Sequence, residues 1–104
     1  MQDYEMLEFS ALAAGVNIKS RSESNLWAEC PGFGLRVWNP LEDDGDAFRL
    51  AVKLGLFNNV EFYLLKVVPN DAGHSSSAMR RAIVSVAAEK GKLMQCDHAA
   101  QALG

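Results

Sequence analysis

The chain has 104 residues, 49% of them apolar and 22% charged, which is the composition of one globular domain and neither a disordered tail nor a coiled coil. Ten basic against thirteen acidic side chains leave a net charge of −3, which argues against a protein whose affinity comes from neutralising phosphates. No apolar stretch approaches the roughly 18 residues of a membrane span. Asp3, Glu5 and Glu8 precede any basic residue, the reverse of a secretory signal, so a cytoplasmic protein is expected. Cys30 and Cys96 are too few for a disulfide framework.

In chain order, Asp3 is placed to cap a helix whose stripe is Tyr4, Leu7, Ala11 and Ala14, widened by Phe9 and Leu12 and stopped by Gly15. Val16 to Ile18 begins a short strand. Lys19 to Asn25 is polar enough for a hairpin tip, and Leu26 to Glu29 reads as the return strand. Cys30-Pro-Gly-Phe-Gly34 is turn chemistry, and Leu35 to Trp38 is extended because Asn39, preceding Pro40, is pushed out of the helical region.

Asp43 with Asp46 three residues on resembles a capping arrangement. The helix it opens runs to Leu54 on a face of Ala47, Leu50, Ala51 and Leu54, widened by Phe48 and Val52, with Arg49 and Lys53 outside it and Gly55 as its stop. Val60 to Val68, rich in aromatic and β-branched residues, reads as the strongest strand. A turn at 69–73 follows. Serines 75 to 77 then offer caps for a last helix with a stripe of Met79, Ala82, Ile83, Val86 and Leu93, weakened at Gly91. The order predicts a single α/β domain over 1–94, a sandwich of helices on a small sheet, and a C-terminal tail over 95–104.

The residues able to carry chemistry are scattered. Glu42, Asp43, Asp44 and Asp46 lack the closing ligand of a calcium loop, whose twelfth position from Asp43 is Leu54, so helix capping is the expected role. Cys30, His74, Cys96 and His98 match zinc in kind but not in spacing, and nothing in the sequence orients a histidine against a thiol. Pro31 to Gly34 has no lysine to make it a phosphate cradle, and serines 75 to 77 have no nucleophile-elbow context. No cofactor, metal or catalytic residue is assigned.

Arg80 and Arg81 lie near the start of a helix, where the dipole disfavours cations, so the first reading is pairing with carboxylates such as those at 42–46 and the second is anion or nucleic-acid binding. Trp27, Phe33 and Trp38 are close in sequence. Core packing is the first reading for them and a recognition surface the second.

Trp38-Asn-Pro-Leu-Glu-Asp-Asp-Gly-Asp-Ala-Phe-Arg-Leu-Ala-Val-Lys-Leu-Gly55 resembles the W-N-P-L-x-D-D-G-D-A-x-R-L-A-V-K-L-G stretch of small bacteriophage and prophage proteins grouped as the phage ABA-sandwich domain. Met79-Arg-Arg-Ala-Ile-Val-Ser-Val-Ala-Ala-Glu-Lys-Gly91 is similar to that family's terminal helix, and the two signatures cover about 30 residues. The resemblance implies a three-layer α/β/α sandwich and a phage or prophage origin, and no chemistry. Trp38, Asn39, Pro40, Asp43, Asp44, Asp46, Arg80 and Arg81 carry over as signature positions, structural or interacting.

The function expected is that of a non-enzymatic accessory protein acting on a phage or host protein, with self-association open and neither membrane nor direct nucleic-acid binding. The alternatives are an acidic inhibitor of a host nucleic-acid-binding protein, and an enzyme or small-ligand domain.

Overall fold

A computed structural model describes residues 2–22, 25–30, 32, 34–69 and 75–103, and for residue 30 and residues 96–103 the backbone alone. Helix α1 (Asp3–Ala14) leads into strands β1 (Ile18–Arg21), β2 (Leu26–Cys30) and β3 (Gly34–Trp38), followed by α2 (Asp44–Leu54). A 3₁₀ turn at Leu56–Asn58, a helical turn α3 (Val60–Phe62) continuing as π-helix over Tyr63–Val67, and a long α4 (Ser76–Leu103) complete the chain. The protein is thus a mixed α and β domain around one three-stranded antiparallel sheet in the order β1-β2-β3.

The strand pairing decides which residues reach the core. Leu26 pairs with Trp38 and Ala28 with Arg36, so these four share one face of the sheet, and Leu26, Ala28 and Trp38 are buried there. Trp27, opposite Val37, lies on the other face and is half-buried. The two tryptophans therefore do not form one aromatic cluster, and Phe33 lies outside the described residues.

β1 takes up Lys19 to Arg21, the first three residues of the stretch expected to be a hairpin tip. An edge strand needs only backbone pairing to hold it, so its side chains can stay polar and exposed. At its end Arg21 pairs with Glu8 of α1. This hydrogen bond first, and the carboxylate's charge second, raise the Arg21 pKa above its ordinary value.

One helix start differs from the sequence reading and another agrees with it. Gln2 occupies the N-cap of α1 without a side-chain bond, and Asp3 is the first helical residue, its carboxylate taken by Arg81. α4 begins as expected, with Ser75 Oγ accepting from the Ala78 N–H at 3.3 Å.

The largest departure is at 60–68, which is helical and not a strand. Asn59 caps this segment by accepting the Phe62 N–H at 3.2 Å, and only Phe62 and Val67 along it are buried. Their spacing of five suits a π turn, whereas in a strand it would put them on opposite faces. Tyr63, Leu64 and Leu65, each more than half exposed, follow from the same geometry.

Gly91 does not loosen α4. It is a buried position within the helix, where α4 lies directly against α1: a Cβ there would stand 1.8 Å from the Phe9 carbonyl oxygen. Small residues line this contact, with Ser10, Ala11, Ala87 and Ala88 all buried, and Ser10 Oγ donates to the Val84 carbonyl at 3.2 Å. The helix continues through the segment expected to be a tail, to Leu103. Leu93, expected in the buried stripe, is 64% exposed because the core side of this turn belongs to Gly91.

Candidate functional site

Asp46 is the centre of the segment from Trp38 to Gly55. Its side chain is 2% exposed, and a buried carboxylate must be answered by donors or charges. Oδ2 accepts the Asn39 N–H at 2.9 Å. Oδ1 accepts from Arg36 Nη2 at 3.0 Å and from Arg49 Nη2 at 2.7 Å. The capping arrangement expected of Asp43 and Asp46 is therefore formed by Asp43 alone. Asp43 caps α2 by accepting the Asp46 N–H at 2.7 Å, but the Asp46 carboxylate reaches back past Asp43 to Asn39.

The turn before α2 is built to present these groups. Asn39 Oδ1 accepts the Leu41 N–H at 3.0 Å, and its carbonyl accepts from Glu42 and Asp43 at 3.1 and 2.9 Å. Pro40 is buried between them and has no N–H to satisfy. Gly55 ends α2 at φ 68°, in the left-handed region that a side chain disfavours.

The two signature arginines of α4 separate. Arg80 pairs with Asp44 and donates from Nε to the Leu41 carbonyl at 2.8 Å, binding α4 to the turn before α2. Arg81 does not join the 42–46 cluster. It makes two parallel bonds of 3.2 Å to Asp3, because one position along a helix turns a side chain by about 100°. Trp38, Asn39, Pro40, Asp43, Asp44, Asp46 and Arg80 are thus brought together and Arg81 is not.

Arg36 and Arg49 are the members of this network that the sequence reading missed. Both also lie 4.0 Å from Asp43, so two carboxylates and two guanidiniums alternate. A signal existed for each. Arg49 stands three residues after Asp46 on a helix, and Arg36 shares the inward face of β3 with Trp38, where a charge requires a partner.

Beside this network the surface opens into a cleft of about 530 Å³, lined by Ala14 to Asn17, Glu29, Arg36, Trp38, Asp46, Arg49, Leu50 and Lys53. On α2, Phe48 and Val52, expected to widen the buried stripe, are 59% and 55% exposed instead. The Phe48 ring meets that of Phe57 with centroids 5.5 Å apart, so the exposed apolar surface continues from α2 into the following turn.

Among the described residues no group of three His, Cys, Asp or Glu side chains is placed to hold a metal, and no helix is long and apolar enough to cross a membrane. His74 and the side chains of Cys30, Cys96 and His98 lie outside the described residues. Compared with protein-family models, with curated proteins and with solved structures, the chain gives no significant match.

Proposed function

We propose that this chain is a non-enzymatic accessory protein of a bacteriophage or prophage, working in the cytoplasm of a bacterial host through contact with a phage or host protein. The origin rests on the resemblance carried by 38–55 and 79–91. The mode of action rests on one observation: Phe48, Val52 and Phe57, all more than half exposed, form a continuous apolar surface on α2 and the turn after it. Clustered apolar side chains at the surface mark sites of association, whereas single ones do not.

The network around Asp46 supports the same reading, because its hydrogen bonds tie β3, the turn and α2 into a frame that presents this surface. The aspartates at 43, 44 and 46 each have an arginine partner, which favours this reading over that of an acidic inhibitor presenting them as one negative face. With the resemblance comes a three-layer α/β/α order. In its favour, one sheet face packs Leu26, Ala28 and Trp38, while Trp27 and Val37 on the other are half-buried.

The test is affinity capture from infected cells at near-native expression, with wild-type chain beside a Phe48→Glu, Phe57→Glu variant shown by circular dichroism to be folded. A partner retained by the wild type and lost by the variant is the expected result. Absence of any variant-sensitive partner, together with turnover of a metabolite by the purified protein, would reject the reading.

A further inference from the structure

The cleft beside Asp46 has a chemistry that the exposed surface of α2 does not use. Its volume of about 530 Å³ falls within the range of roughly 300–1,000 Å³ typical of small-molecule sites. Ala14, Val16, Leu50 and an edge of the largely buried Trp38 give it apolar walls. Arg49 and Lys53, four residues apart on α2, bring two cations to the same lining.

The charges in the cleft do not cancel. Asp43 and Asp46 answer Arg36 and Arg49, and Glu29 pairs with Lys19 at 3.7 Å. Lys53 is exposed and has no partner among the described residues. Arg49 gives one nitrogen to Asp46, but a guanidinium has five N–H donors and this side chain is 61% exposed, so donors remain. Gly15 ends α1 in the same lining and Lys53 stands in the last turn of α2, so the cations on α2 have to offset the negative ends of both helix dipoles for an anion to settle there.

We infer that this cleft binds a small organic acid, its carboxylate held by Lys53 and the remaining donors of Arg49 and its compact apolar body resting on Leu50, Val16 and the edge of Trp38. The site is independent of the apolar surface around Phe48. Titration of the full chain with 3-phenylpropionate, followed by the backbone amide signals of Gly15, Leu50 and Lys53, tests it.

Saturable shifts in those signals are expected. 3-Phenylpropionamide, with the body and no charge, and acetate, with the charge and no body, should each bind about tenfold more weakly. Lys53→Met, which keeps the stem of an exposed side chain and should lower the melting temperature by only a few degrees through the charge lost at the end of α2, should weaken 3-phenylpropionate about fivefold. The tripeptide Ala-Ala-Phe distinguishes the source of the acid: tighter binding than 3-phenylpropionate assigns the site to a chain terminus, weaker binding to a free acid.

No saturation in the millimolar range, shifts confined to residues outside the cleft, equal binding of the amide or of acetate, or an unchanged affinity in Lys53→Met would each overturn the proposal.

Discussion

Gly91 of α4 and Phe9 of α1 touch through backbone alone: no side chain fits between them, since even a methyl group at position 91 would fall 1.8 Å from the Phe9 carbonyl oxygen. The two helices are held at this distance by small side chains along both, including the buried Ser10, Ala11, Ala87 and Ala88. A glycine within a helix costs about 1 kcal/mol relative to alanine on propensity alone, so the close approach must outweigh that loss.

Gly91→Ala separates propensity from packing. If propensity ruled, the change would stabilise α4. Because the added carbon meets backbone, a loss of about 3 kcal/mol is expected instead, at the upper end of overpacking effects, read from urea denaturation midpoints. A stabilised variant would show that α1 and α4 do not meet in this way.

Asp46→Ala removes the acceptor that joins Asn39, Arg36 and Arg49. It leaves a part-buried Arg36 without its strongest partner, and a stability loss of about 3 kcal/mol is expected by chemical denaturation. Asp43→Ala deletes only the N-cap of α2, and about 1 kcal/mol is expected there. Equal losses at the two positions would mean that the network is no more than a cap.

The pairing of the α4 arginines is open to double-mutant cycles. Arg80 with Asp44 should show a coupling of about 0.5–1 kcal/mol, since Arg80 is only 19% exposed although Asp44 is 72% exposed. Arg81 with Asp3, both more than half exposed, should couple by about 0.3 kcal/mol, and Arg81 with Asp44 should be additive. A larger coupling of Arg81 with Asp44 than with Asp3 would restore the reading made from sequence.

Replacements in 60–68 tell a helical turn from a strand. Phe62 is 6% exposed and Leu65 66%, so Phe62→Ala should cost about 3–5 kcal/mol and Leu65→Ala no more than about 0.5 kcal/mol in thermal or urea unfolding. In a strand covered on both faces, the two losses would be similar.

Features that depend on neighbours in sequence were legible without coordinates. Asp43 caps α2, Gly55 ends it, Ser75 caps α4, and Leu26–Cys30 pairs with Gly34–Trp38. Each is settled within a few residues, where turn geometry and unpaired backbone groups leave few alternatives. The acidic run at 42–46 was legible as helix capping for the same reason, as far as Asp43 is concerned.

What lay beyond that range was decided in three dimensions. Val60 to Val68 has the residues of a strand, but a strand needs a partner edge, and the Asn59 cap with burial of Phe62 and Val67 made it helical. Gly91 reads locally as a weak helix position and serves globally as the contact with Phe9. Asp46 could be seen as a capping residue, while the arginines that neutralise it come from β3 and from the next turn of α2. The sequence by itself determined the caps and stops that are settled within a few residues, those of Asp43, Gly55 and Ser75 among them. Which polar groups meet, and which apolar faces stay open to solvent, followed only once packing had brought distant segments together, because burial and charge pairing are properties of neighbours in space.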